Sequence, residues 1–185
     1  MRITPLKVAS LLLASAVILW IVGYTNGVGA CSITYKTQTV NGASLTHFVE
    51  HGDTVRVAFG YYECGVAKSG DLVIYKDAGD VNPLIKLVRG VAGDTFMLAL
   101  AEGGAKMFVN NEILKTTTGD VYRISEEAYR LLSLYEKDYK GVIPEGAVLL
   151  LGNLPRGSRD STQFGFVSTE SLMGKVVDVR PTGGR

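Results

Sequence analysis

Histidine, cysteine, tryptophan and proline are all scarce in this chain of 185 residues, which holds two, two, one and five of them. Both histidines, His47 and His51, fall within residues 47–51, so a histidine-built metal centre has one place to form. Two cysteines exclude a disulfide-scaffold protein. Neither sign of charge dominates: Lys and Arg number 19, Asp and Glu 18, and no basic run occurs, so nothing electrostatic points to nucleic acid as a partner. Beyond residue 24 no apolar stretch is long enough to cross a bilayer.

Charge is missing altogether between Lys7 and Lys36, and residues 8–23 (VASLLLASAVILWIVG) are almost wholly apolar. At a helical rise of about 1.5 Å per residue, this run with Tyr24 just reaches the roughly 17–25 residues that span a hydrocarbon core. Arg2 and Lys7 mark the cytoplasmic flank, and Trp20 and Tyr24 the far interface. Residues 1–30 are therefore expected to form one N-terminal transmembrane helix in the inner (cytoplasmic) membrane. The lipid bilayer is then a partner, and residues 31–185 lie on the extracytoplasmic, periplasmic side. A cleaved secretory signal, or a lipoprotein signal ending at Val28-Gly29-Ala30-Cys31, are the alternatives. In an oxidising compartment Cys64 can pair with Cys31; two unpaired thiols are the other reading.

About 155 residues remain, enough for one core-bearing domain. Period-two alternation and β-branched residues recur over 32–40, 53–62, 71–76, 84–88, 95–100, 106–109, 147–151 and 175–180. Glycine-rich turns punctuate them, and Val109-Asn110-Asn111-Glu112 reads as a hairpin turn. The expectation is a mainly β, antiparallel fold. Over 125–140, Ala128, Leu131, Leu132 and Tyr135 recur at helical spacing behind a Ser125 N-cap, with Glu126 and Glu127 in the first turn. Residues 96–142 are accordingly read as a small hairpin-plus-helix subdomain inserted into the same domain.

Lys86 is the lysine with chemistry in view. In an extended segment it shares a face with Leu84 and Val88. Desolvation there lowers an amine's pKa and makes a general base available near neutral pH; the bland reading is a snorkelling lysine at a strand end. Gly90 and Gly93-Asp94 follow at once, and glycines permit close backbone approach beside a site. Far along the chain Ser158 and Asp160 stand two apart, a hydroxyl able to orient an amine with a carboxylate behind it. Taken alone, Ser-x-Asp-Ser is an ordinary polar loop.

Together these pieces resemble the type I signal peptidase family, including its conjugative-transfer and pilin-maturation relatives. Gly70-Asp71-Leu72-Val73-Ile74-Tyr75 is similar to the family's Gly-Asp strand before the catalytic lysine. Lys86 stands four residues before Gly90 and eight before Asp94, like the family's general-base lysine. Ser158-x-Asp160-Ser161 followed by Gly165-Phe166-Val167 is similar to the last motif. Counting back from Gly52-Asp53 as the family spacing implies, the nucleophile falls on Ser44, and Gly42 resembles the glycine-bearing branch in which the serine's own N–H is the main oxyanion donor. The usual Ser-Met-x-Pro is here Ser44-Leu45-Thr46-His47, Gly-Asp-Asn-Arg is Gly152-Asn153-Leu154-Pro155, and Thr162 stands where the aspartate's arginine partner would be.

The resemblance implies a cofactor-free serine endopeptidase with a Ser44/Lys86 dyad, supported by Ser158, Asp160 and Gly42. Its substrate would be a precursor's leader peptide bound as an extended strand, with small residues before the cut. The client is the general secretome or one dedicated precursor such as a pilin. Three rival readings stand beside it. His47-Phe48-Val49-Glu50-His51 spells the HxxEH of a zinc metallopeptidase, which requires a helix where the flanks read as strand and turn. A Ser44/His47 triad fails on facing, since residues three apart on a strand point oppositely. A non-catalytic, membrane-tethered β module that binds an envelope or pilus partner is the third.

Overall fold

β-Branched and leucine-rich segments pair wholly antiparallel in the computed structural model, which describes residues 31–76 and 82–183. A seven-stranded sheet runs in the order β1 (Thr34–Thr39), β2 (Thr54–Phe59), β11 (Leu172–Arg180), β3 (Leu72–Tyr75), β4 (Leu84–Val91), β9 (Ala147–Leu151) and β10 (Val167–Ser168). A second sheet joins β5 (Phe96–Ala101), β6 (Gly104–Val109) and β7 (Glu112–Ile113), with β8 (Arg123–Ile124) also pairing β6. Helix α1 (Glu126–Asp138) follows it; the Ser125 side chain accepts from the Ala128 N–H, and Glu126 and Glu127 sit at the positive end of the dipole. The expected anchor, residues 1–30, lies outside the described residues; among those described, no helix is long and apolar enough to cross a membrane.

Three buried clusters hold the sheets together. Leu149 and Leu151 of β9 pack with Phe96, Met107, Tyr122, Leu132 and Ile143, while Val148 and Leu150 face Val73, Tyr75, Val88 and Leu172. Strand β9 (AVLLL) is thus apolar on both faces, a continuous apolar run in place of the expected alternation. The third cluster puts Leu45 and Val49, from the loop after β1, among Val55, Val57, Ile74 and Leu87.

The short strands β7, β8 and β10 carry too few residues for a periodic signal. Asn110 and Asn111 both take positive φ, 52° and 64°, so β6 returns into β7 through a two-residue turn of the type asparagine favours. Strand β4 bulges between Val88 and Gly90; a Cβ at Gly90 would collide with Ile143. Cys31 and Cys64 are both disulfide-bonded.

Candidate active site

Ser44 sits in a loop closed by Val40, whose N–H donates to the Asp53 carbonyl at 2.8 Å and whose own carbonyl accepts from Gly52 at 2.9 Å. Burying Leu45 and Val49, each no more than 1% exposed, nails the loop to the core directly after the serine. Residues 47–51 make turns, with His47 at φ 69° and its N–H donating to Glu50 Oε1 at 2.9 Å. The helix that an HxxEH zinc centre would need is therefore not formed there.

Lys86 of β4 pairs with Val73 and is 2% exposed. Its Nζ donates to Ser44 Oγ at 2.8 Å and to the Ile85 carbonyl at 3.0 Å. Burial pulls the amine from its usual 10.5 down to about 8, against the opposing charge of Asp160. Lys86 and Ser44 both line a groove of about 560 Å³, together with Gln38, Thr39, Asn41, Val55, Ile74 and Ile85.

Asp160 is fully buried and takes hydrogen bonds from neutral donors. The N–H groups of Gly152, Ser158 and Thr162 reach it at 2.9, 3.0 and 3.0 Å, and the hydroxyls of Ser158 and Thr162 at 2.7 Å each. Such solvation by fixed dipoles makes a buried carboxylate tenable. Thr162 thus contributes two of these donors from the position where the resemblance would put an arginine. The Ser158 hydrogen goes to this carboxylate, whereas the lysine's two hydrogen bonds go to Ser44 and Ile85. The charged acceptor is the stronger competitor for a hydroxyl.

Gly152 stands between Ser44 and Ser158: a Cβ there would collide with the Ser44 carbonyl oxygen and the Ser158 hydroxyl alike. Gly42 lies two residues before the serine at φ 118°, and its N–H donates to His51 Nδ1 at 3.2 Å. Asn153, 2% exposed and in the sequence only a departure from the family motif, is a further site residue. Its N–H donates to the Ser44 carbonyl at 2.6 Å, its Nδ2 to the Thr46 carbonyl and to Thr117 Oγ1 at 2.8 and 2.7 Å, and its Oδ1 accepts from the Thr117 N–H at 2.8 Å. The departure from Gly-Asp at Gly152-Asn153 was the one available signal.

A hydroxyl touching a buried amine at an open groove is an arrangement suited to acyl transfer. The family model for signal peptidase, peptidase S26, matches residues 8–179. Signal peptidase IB of Staphylococcus aureus (strain COL) is 29% identical over 144 residues, covering 75% of this chain and 73% of the relative. Signal peptidase I of Bacillus caldolyticus is 26% identical over 145 residues, 77% of each. A crystal structure of a signal peptidase I from Enterococcus faecalis V583 is similar over 59% of this chain and 95% of that one, at 19% identity and a TM-score of 0.38. The chain belongs to the signal peptidase family, peptidase S26. It is a serine endopeptidase of the signal peptidase I type, a class that cleaves signal peptides from precursor proteins.

Proposed function

We propose that Ser44 is the nucleophile and Lys86 the general base of a membrane-anchored leader peptidase. The observation that carries this reading is the 2.8 Å contact between Lys86 Nζ and Ser44 Oγ. Neutral Lys86 takes the Ser44 proton as Oγ bonds to the scissile carbonyl carbon. It then returns that proton to the departing amine as the C–N bond breaks, and water resolves the acyl-enzyme by the same relay. The Ser44 N–H, which has no backbone acceptor among the described residues, is free to hold the oxyanion, a donor typically worth about 3–4 kcal/mol. Asp160 and Ser158 support the dyad through Gly152, whose N–H the carboxylate holds at 2.9 Å.

The substrate's leader lies extended in the groove beside residues 39–43, where Val55, Ile74 and Ile85 offer apolar walls for small side chains. Residues 1–30 serve as a single-pass anchor. The catalytic domain then sits at the extracytoplasmic membrane surface, where cleavage regions emerge and proximity adds to specificity. The altered motifs around Ser44 and Asn153 favour a dedicated client, such as a pilin-type precursor, over the general secretome.

Detergent-solubilised full chain with a pre-protein or pilin precursor tests the mechanism. Ser44→Ala and Lys86→Ala are each expected to abolish cleavage with the fold retained, and chelators to change nothing. Full activity in either variant sinks the dyad, and loss with a chelator revives zinc. Comparing precursors that accumulate in deletion and wild-type cells tests the client.

A further inference from the structure

We propose that His51 is a positioning residue whose imidazole aims the backbone of Asn41 at the substrate; this rests on the peptidase reading above. Beyond Thr39, the last paired residue of β1, the ladder to β2 continues through Val40, whose carbonyl accepts from Gly52. The next inward-pointing group is the Gly42 N–H, and its acceptor is the His51 imidazole at Nδ1, 3.2 Å away. A side chain thus stands in for the backbone carbonyl that a longer β2 would supply.

The consequence follows from peptide planarity. All peptide bonds in the described chain are trans, and in a trans peptide the C=O and the following N–H point opposite ways. The Val40 carbonyl faces β2, so the Asn41 N–H faces the free edge. The Gly42 N–H faces His51, so the Asn41 carbonyl also faces the free edge. Asn41 therefore presents a donor and an acceptor together on the side away from β2, and among the described residues neither has a backbone partner. Asn41 lines the same groove as Ser44 and Lys86. A donor and acceptor on one residue are what an added antiparallel strand pairs with.

Val40 is fixed by two backbone bonds, whereas the plane between Asn41 and Gly42 is held by the imidazole. With glycine at its far end, that plane turns easily once the acceptor is gone. His51 is exposed, so replacing it leaves the core intact. Asparagine can place Oδ1 where Nδ1 now sits and accept the same N–H, whereas leucine cannot.

The test uses detergent-solubilised full chain and a quenched-fluorescent peptide with small residues before the cut. His51→Leu is expected to raise KM about five- to tenfold with kcat within about twofold, the scale of one lost hydrogen bond. His51→Asn is expected to return KM to within about twofold of wild type. The Gly42 amide should exchange with deuterium about tenfold faster in the leucine variant only. An unchanged KM in His51→Leu, or an asparagine variant no better than leucine, overturns the role of His51 while leaving the dyad standing. A wild-type chain that cleaves neither this peptide nor a pre-protein or pilin precursor overturns the Ser44/Lys86 reading and this proposal with it.

Discussion

The backbone N–H of Asn153 donates to the carbonyl of Ser44 at 2.6 Å, so the residue carrying the hydroxyl is held from behind by a turn more than a hundred positions away in sequence. That turn is itself gripped by residues 115–124: the Tyr122 hydroxyl donates to the Gly152 carbonyl, the Arg123 N–H to Pro155 at 2.7 Å, and Thr117 brackets the Asn153 amide. The connection from β7 to β8, with Arg123 at its end, thereby braces the site without contributing a reacting group.

Asn153→Asp tests this brace with a change of one atom. The amide nitrogen donates to both Thr46 O and Thr117 Oγ1; a carboxylate would set an oxygen against the Thr46 carbonyl in a 2%-exposed place. Leaving a buried acceptor unpaired beside a buried charge costs roughly 2–3 kcal/mol. Melting should fall by roughly 5–10 °C, and kcat by about 10- to 100-fold through a displaced Ser44. Restoring the family's usual acid is thus expected to harm this chain. A calorimetric scan with steady-state kinetics checks it, and an unaltered kcat would show that Asn153 does not set the nucleophile.

Gly152→Ala tests packing instead of polarity. The new methyl would collide with the Ser44 carbonyl on one side and the Ser158 hydroxyl on the other, and neither is the end of a long flexible chain. Displacement of even about 1 Å is expected to cost activity by about 100-fold. A crystal structure or amide exchange across 150–160 would show the altered turn. A variant of wild-type activity would mean that the spacing of Ser44 and Ser158 is immaterial.

How much of this was legible beforehand differs by element. The α1 helix announced itself through its Ser125 cap and apolar spacing, and the main strands through β-branched alternation. Strands β7, β8 and β10, two residues each, had no pattern to offer. At the proposed site, Ser44 and Lys86 are singled out by the resemblance to the family's motifs, Ser44 by counting back from Gly52-Asp53 and Lys86 by its distance to Gly90 and Asp94. The motifs mark Asn153 and Thr162 only as departures: what the two residues do depends on partners at Thr46, Thr117 and Asp160, which only the folded chain brings within reach. Ser158 shows the same limit, since alternation places it on a shared face with Asp160 but cannot say which group receives its hydrogen.

Lys86→Met should stabilise the protein below pH 8. A lysine whose folded pKa is about 8 rather than 10.5 is harder to protonate folded than unfolded. The folded state therefore carries a penalty of about 3 kcal/mol at pH 7 and below, relieved as pH rises from about 8 to 10.5. Methionine removes that penalty along with two hydrogen bonds, for an expected net gain of roughly 1 kcal/mol at pH 7 that turns into a loss of similar size by about pH 10.5. Denaturant unfolding at the two pH values measures it; equal destabilisation at both would mean that the amine is not strained by burial.

The pH profile ties Asp160 to the base. Cleavage requires the uncharged amine, so kcat/KM of the wild type should fall on the acid side with a midpoint near pH 8. Asp160 stabilises the ammonium and holds that midpoint up; removing its charge lets burial lower it further. Asp160→Asn should therefore move the acid limb to lower pH, while losing rate at the plateau because an amide nitrogen would now face the N–H groups of Gly152, Ser158 or Thr162. The plateau loss should be smaller than for Ser44→Ala or Lys86→Ala, since no reacting atom is removed. Measured against wild type, the variant should look relatively better at pH 6.5 than at pH 9. A limb that moved upward would mean that the titrating group is not an amine beside a carboxylate, and a plateau loss equal to that of Lys86→Ala would give Asp160 a part in the chemistry itself.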